Sequence, residues 1–194
     1  MIVNTKSHDD AVRPSDWVKR WSHLVKSKGT VLDVACGHGR HAIYFHQLKH
    51  SVTLVDRAQE AIDSIAIKAH ACEKVVADIE NGPWPFAGRQ FDAVVVTNYL
   101  WRPLMSTLLA SLADGGVLIY ETFTHGNETV GKPSRPDFLL GRSELLDICK
   151  DLRVVAYEDG FIQGPTGQTP RFVQRIAAVR EDGVNLLPPR YPLP

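Results

Sequence analysis

Apolar residues fall along the chain in two alternating patterns. Short β-rich runs cover Thr30 to Ala35, Ser51 to Val55, Cys72 to Ala77, Phe91 to Val96 and Val117 to Thr122. Runs of that length with few polar interruptions read as buried strands. Between them the apolar positions recur at helical spacing. Ser15 is placed to cap a first helix carrying Trp17, Val18, Trp21, Leu24 and Val25. Gly39 to Lys49 puts Ala42, Phe45 and Leu48 on one face, and Gln59 to Ala69 does so with Ile62, Ile65, Ala66 and Ala69. Pro103 suits the first turn of a helix running to Leu112. Alternation of this kind predicts an α/β, Rossmann-like, mostly parallel sheet with helices on both faces.

After the fifth strand the pattern changes. Asp114-Gly115-Gly116 reads as a turn into that strand, and Thr124 to Gly141 is rich in Gly, Pro and polar residues. A loop this long inside one domain is usually functional. Arg142 to Lys150 resumes as a helix. Leu152 to Glu158 and Arg171 to Arg180 then read as strands joined through Gly160 to Pro170, which brings the total to seven. No helical pattern separates these two, so the last strand should run antiparallel. Pro188 to Pro194 reads as an extended surface strap. The chain thus reads as a single domain: 1–29 an N-terminal helix and potential lid, 30–180 the core, 181–194 the tail.

Composition narrows the partners. Lys plus Arg and Asp plus Glu number 22 each, which argues against a nucleic-acid partner because such proteins carry a basic footprint. Cys36, Cys72 and Cys149 are scattered and make no Cys-x-x-Cys pair, as expected of free thiols in a reducing compartment. Met1 to Pro14 has no apolar stretch resembling a secretory signal, and no run is long enough to span a membrane. A cytoplasmic monomer or homodimer is expected. His46 and His50 have the i, i+4 spacing of a metal pair. They lack the Glu of H-E-x-x-H and any further ligand cluster, so they read as a solvated helix face and no metal is expected.

The chemistry concentrates at the strand ends. Strand one runs into Gly37-His38-Gly39-Arg40-His41-Ala42, which fits the nucleotide-binding pattern G-x-G-x-x-G/A. Asp56, 19 residues after Gly37, ends strand two and can accept from both hydroxyls of a ribose. Those features serve a dinucleotide and S-adenosylmethionine (SAM) equally. Asp33 separates them. A dinucleotide places its pyrophosphate at this loop, where a carboxylate would repel it. SAM brings an ammonium instead, which a carboxylate attracts.

The stretch Val31-Leu32-Asp33-Val34-Ala35-Cys36-Gly37-His38-Gly39 resembles motif I of the class I SAM-dependent methyltransferases. Phe91 to Tyr99 and Leu112 to Leu118 resemble the family's fourth- and fifth-strand motifs, and the order agrees over residues 15 to 180. The resemblance implies cofactor contacts from Asp33, Ala35, Cys36, Gly37, Gly39 and His41. Further contacts would come from Asp56 and Arg57, from Asp78 and Ile79 at the adenine, and from Asn98 and Tyr99. Ala35 stands where many members have glycine. S-adenosylhomocysteine (SAH) would be the product.

Asn98-Tyr99-Leu100-Trp101 lacks the prolines of the Asn-Pro-Pro-Tyr motif found in methyltransferases of bases and glutamine. Together with Tyr120 to Asn127 it looks like a bacterial small-molecule group that includes tellurite-resistance methyltransferases, which implies a small-molecule acceptor. Trp101, Arg102 and Phe123 lie at or just beyond strand ends, where ligands of parallel sheets bind. Arg102 could orient an anionic acceptor, or only pair with Glu121. Glu121 or His125 could remove a proton, but a soft nucleophile needs no base, so no essential catalytic residue is assigned. Trp17 and Trp21 could be core residues or a lid over the acceptor. Two alternatives remain at this level: an NAD-dependent oxidoreductase and a non-enzymatic SAM-binding regulator. Calorimetry should show SAM or SAH binding and no NAD binding. Tight NAD binding without SAM binding would end the reading.

Overall fold

The computed structural model describes residues 13–68, 71–163, 169–181, 183 and 189–194. Its strands are β1 (Thr30–Val34), β2 (Ser51–Asp56), β3 (Cys72–Val76), β4 (Phe91–Thr97), β5 (Leu112–Phe123), β6 (Arg153–Ile162) and β7 (Arg171–Val179). They form one seven-stranded sheet in the order β3-β2-β1-β4-β5-β7-β6. β1 to β5 pair in parallel, and β7 inserts antiparallel between β5 and β6. The mostly parallel sheet with an antiparallel last strand is therefore the one the sequence pattern predicts.

The helices are α1 (Asp16–Trp21), α2 (Arg40–Gln47), α3 (Gln59–Ser64), α4 (Met105–Ala110) and α5 (Glu144–Ile148). Alternate residues of each strand face opposite ways, so the sheet serves two cores. Val31, Leu54, Val95 and Ile119 pack with α1, α2 and α3, against Trp17, Trp21, Phe45 and Ile62. Leu32, Val94, Leu118 and Tyr120 pack on the other side with α4 and α5, against Leu108, Leu145 and Phe86.

Several elements are shorter than their periodicity suggests. The helix expected to run to Ala69 ends at Ser64, and Ala69 lies outside the described residues. Ile65 turns extended there and packs against Gly39, so tertiary contact overrides helix propensity. α2 stops at Gln47, which leaves Leu48, expected inward, 45% exposed. Pro103 sits in a 3₁₀ turn, Arg102–Leu104, before α4. Asp114-Gly115-Gly116 is not a turn ahead of β5 but an irregularity within it. The register against β4 jumps from Phe91↔Leu112 to Ala93↔Val117. A Cβ on Gly116 would lie 2.8 Å from two backbone oxygens, so no other residue fits there. β6 reaches Ile162, and part of the expected Gly160 to Pro170 connection lies outside the described residues.

The long loop is closed at its base. Thr124 bridges to Leu140, and its hydroxyl donates to the Leu140 carbonyl at 2.9 Å. Gln174 of β7 lies fully buried beneath both ends. Its Nε2 donates to Thr124 Oγ1 and the Gly141 carbonyl, and its Oε1 accepts from the Leu145 amide. Asn127, also buried, accepts from the Phe172 amide and donates to the Pro133 carbonyl. Arg102 donates to the carbonyls of Asp137 and Leu139. The Gly and Pro residues therefore shape a pinned Ω-type loop rather than a free flap. Gln174→Leu strands three polar partners in the interior. It should destabilise the protein by about 3 kcal/mol in urea unfolding, and stability within about 0.5 kcal/mol of wild type would show that the loop base holds without it.

Candidate functional site

The parallel strands all end on one edge. β1 leads through Ala35 and Cys36 to Gly37 and Gly39, whose φ angles of 53° and 71° lie in the left-handed region that glycine adopts without strain. Ala35 shares that conformation at φ 51°, which costs an ordinary L-residue about 1 kcal/mol. The difference from glycine at this position is thus felt by the backbone and not only by the space available. Asp56, at the end of β2, ties the loop down. One carboxylate oxygen accepts from the Gly37 amide and the other from the Ala58 amide, both at 2.9 Å. Each oxygen keeps a second lone pair.

Asp33 is 1% exposed on the α2 side of β1. Its Oδ2 accepts from the Ala42 amide at 2.9 Å in the first turn of α2. Burial pushes its carboxyl up to about 7, against the opposing pull of that amide and of Arg40. Cys36 is buried, and its thiol is likewise pushed up by burial and by the Asp33 charge.

A cavity of about 170 Å³ opens beyond these ends, lined by Ala35, Asp56, Arg57, Ala77, Asp78, Ile79, Glu80 and Tyr99. Six of these residues are among those singled out from the sequence. Ala77 and Glu80 are not. Asp78 accepts from the amides of Glu80 and Asn81, an Asx turn that folds the chain back and brings Glu80 to the cavity. The Asn81 side chain and these amides hold the Asp78 carboxyl below its ordinary range.

A second cavity of about 270 Å³ adjoins the first, sharing Glu80 and Tyr99 as wall. Asn98, Leu100, Thr122, Phe123, Pro133 and Phe138 complete it. The hydroxyls of Tyr99 and Thr122 are buried and make no hydrogen bond of good geometry. Burial raises the Tyr99 phenol, and the nearby Glu80 carboxylate raises it further. Thr122, Pro133 and Phe138 carry no local sequence signal, because the path of the pinned loop brings them together.

Other candidates lie elsewhere. His41 is buried beside β4, where its Nε2 accepts the Ser15 amide at 3.1 Å and its Nδ1 faces Thr97 Oγ1 at 3.4 Å. Burial lowers its pKa to about 3, so it is a neutral ring that carries its proton on Nδ1 and fastens the start of α1. Ser15 caps α1 as expected and donates from its hydroxyl to Glu121. Glu121 is 3% exposed and also holds Arg175 at 3.1 Å. Its oxygens are thus both engaged, and it lines neither of these cavities. Arg102 pairs with Glu144, not with Glu121 or an open cavity. His125 is exposed and lines a separate surface cleft with Thr124, Arg142 and Asp159.

Trp17 and Trp21 are each 1% exposed and stack edge to face at 5.6 Å within the core. Trp17 Nε1 donates to the Ile176 carbonyl. They line neither cavity, so of the two readings the structure takes the core rather than the lid. Trp101 is half-buried against the α4/α5 core. His50 is buried and packs its ring edge on Phe45 at 5.6 Å, so it is not on a solvated face. Among the described residues no group of three or more His, Cys, Asp or Glu could hold a metal.

Residues 31–116 match the methyltransferase domain family. The sheet order is shared with solved SAM-dependent methyltransferase structures, which the chain resembles in fold. The structure of TehB from Haemophilus influenzae superposes with a TM-score of 0.73 at 18% identity, covering 91% of this chain and 65% of that one. The chain therefore spans about 65% of the length of TehB. A TehB-like SAM-dependent methyltransferase from Corynebacterium glutamicum gives 0.61 at 16% identity, covering 85% and 87% of the two chains. Coclaurine N-methyltransferase bound to N-methylheliamine and SAH gives 0.56 at 17% identity, covering 74% and 48%. No curated protein sequence matches the chain significantly. The domain match over residues 31–116 favours SAM over the dinucleotide alternative raised by the glycine pattern.

Asp33 supplies a test that separates a helix cap from a ligand group. Its carboxyl titrates near 3.8 unfolded and near 7 folded. Between those values the folded state binds more protons, so stability falls as pH rises through that window. Asp33→Asn keeps an acceptor for the Ala42 amide and removes the ionisation. The variant should be more stable than wild type by about 2 kcal/mol at pH 8, with the gain vanishing near pH 4. SAM affinity should nevertheless fall at least about ten-fold. Unchanged SAM affinity in that variant would reduce Asp33 to a cap.

Proposed function

We propose that this methyltransferase moves the methyl group of SAM onto a small-molecule acceptor held in the cavity between the ends of β4 and β5. The observation that carries the reading is the pair of adjoining cavities at the strand ends, which share Glu80 and Tyr99 as a common wall. The first has a donor set that suits SAM. Asp33 and the Gly37–Gly39 loop would receive the ammonium and carboxylate end. Asp56 has lone pairs left for the ribose hydroxyls, Asp78 would take the adenine amino group, and Ile79 would pack on the ring. Arg57, Ala35, Cys36, His41, Asn98 and Tyr99 would complete or support that shell. When bound, SAM supplies a methyl group already activated by its sulfonium.

The chain's own contribution is then placement and exclusion of water. Phe123, Pro133 and Phe138 wall the acceptor cavity with apolar surface, and the pinned loop holds two of them there without a closing motion. Glu121 is fully engaged by Ser15 and Arg175, and His125 lies at another cleft. Neither is retained as a general base. The reading places the whole chain in a single domain, with residues 30–180 holding the cofactor. No helix among the described residues is long and apolar enough to cross a membrane, and the three cysteines are free thiols. These features support a cytoplasmic enzyme, working as a monomer or homodimer.

SAH release should be measured with the purified chain against a panel of amines, thiols, phenols and oxyanions, each with SAM. At least one class should release SAH well above the acceptor-free rate. SAM binding with no SAH release from any class would favour the non-enzymatic regulator.

A further inference from the structure

We propose that the acceptor cavity recognises a compact arylalkylamine as its ammonium form, which passes a proton to Glu80 or to solvent before its nitrogen lone pair takes the methyl group, and excludes oxyanions and carboxylates. This inference rests on the reading of that cavity as the acceptor site. The charge around the cavity has one sign. Among the described lining residues Glu80 is the only carboxylate and none is cationic, and it is half-buried in the wall shared with the first cavity. Four cations lie near enough in sequence or space to offset it, and none is among the described residues of this lining. Arg57 lines the first cavity, where its charge acts on Asp78 as well as on Tyr99. Arg102, which the sequence offers as an anion ligand, spends its guanidinium on both Glu144 oxygens and on the carbonyls of Asp137 and Leu139. Arg135 lies over the Phe138 ring at 5.2 Å but pairs with Asp137 at 2.8 Å and is open to solvent. Lys132 is exposed beside Pro133 and does not line the cavity.

An anion entering here would lose water and meet a carboxylate with no cation in the described lining to compensate. An ammonium would meet Glu80 at short range in a site that limits screening. The other polar groups agree. Thr122 is fully buried and lines the cavity, yet its hydroxyl has no partner. Together with the buried Tyr99 hydroxyl it offers a hydrogen-bond acceptor to an N–H donor. The rest of the described lining is Asn98, whose amide can accept as well as donate, with Leu100, Phe123, Pro133 and Phe138. Two aromatic rings beside a carboxylate suit an aryl body with a basic nitrogen.

The test uses three near-isosteric probes on the full chain, followed by calorimetry or ligand-detected NMR: benzylamine, benzyl alcohol and benzoate. Benzylamine should bind at least about ten-fold tighter than benzoate, with benzyl alcohol between them. Glu80→Gln should bring benzylamine and benzoate to within about two-fold of each other, while benzyl alcohol changes little. Phe138→Ala, an exposed loop position, should weaken all three together without changing their order. The proposal is overturned if benzoate binds as tightly as benzylamine, if none of the probes binds, or if folded Glu80→Gln keeps the wild-type preference. A SAM titration on the same samples separates this outcome from the broader reading. SAM binding without amine preference removes only the acceptor class, and amine binding without SAM binding removes the methyltransferase activity.

Discussion

The reversal of strand order at β1 is the constraint on which the rest depends. The chain leaves β1 towards β2 and β3 on one side, then returns to lay β4 and β5 on the other. α2 and α4 are thereby sent to opposite faces of the sheet. A crevice must open where they part, at the carboxyl ends of the strands. Everything assigned to the site hangs from that edge: the loop after β1, the Asx turn after β3, the left-handed Asn98 after β4 and the pinned loop after β5. The Asp56 carboxylate reinforces the geometry by joining the end of β2 to the Gly37 amide. One group therefore shapes the loop and remains available to a ligand.

A second set of polar contacts fixes the N-terminal segment. Ser15, the cap of α1, gives its amide to His41 and its hydroxyl to Glu121. Glu121 holds Arg175, which holds Glu158 and lies over the Trp17 ring at 5.0 Å. Buried charges of this sort need every partner in place. The arrangement locks α1 onto the sheet through His41 and β5, and it engages both oxygens of Glu121. The tail adds a lighter strap, with the Pro192 carbonyl within 2.9 Å of His23 Nε2. Ordering of α1 therefore comes from side chains on the sheet. The second cavity owes its loop wall to Gln174, Asn127 and Arg102 at the base and shoulder of the loop.

The sequence by itself determined the class of fold and the strand count, and it singled out acids that the structure brings to the strand ends. Buried parallel strands and amphipathic helices have distinct periods, and the glycines and acids at the strand ends are local signals. Asp33, Asp56 and Asp78 could be picked out because each sits at a fixed offset from a strand that the pattern already reveals. Tertiary structure decided everything that depends on which distant residues meet. Leu48 was left outside and Ile65 drawn out of its helix because helix ends are set by packing rather than by period. Arg102 met Glu144, and Glu121 met Arg175, because ion pairs form between elements that only the fold makes neighbours. Glu80, Thr122, Pro133 and Phe138 share a cavity for the same reason. Their separation along the chain is closed by the turn at Asp78 and by hydrogen bonds to a loop, and neither leaves a period in the sequence.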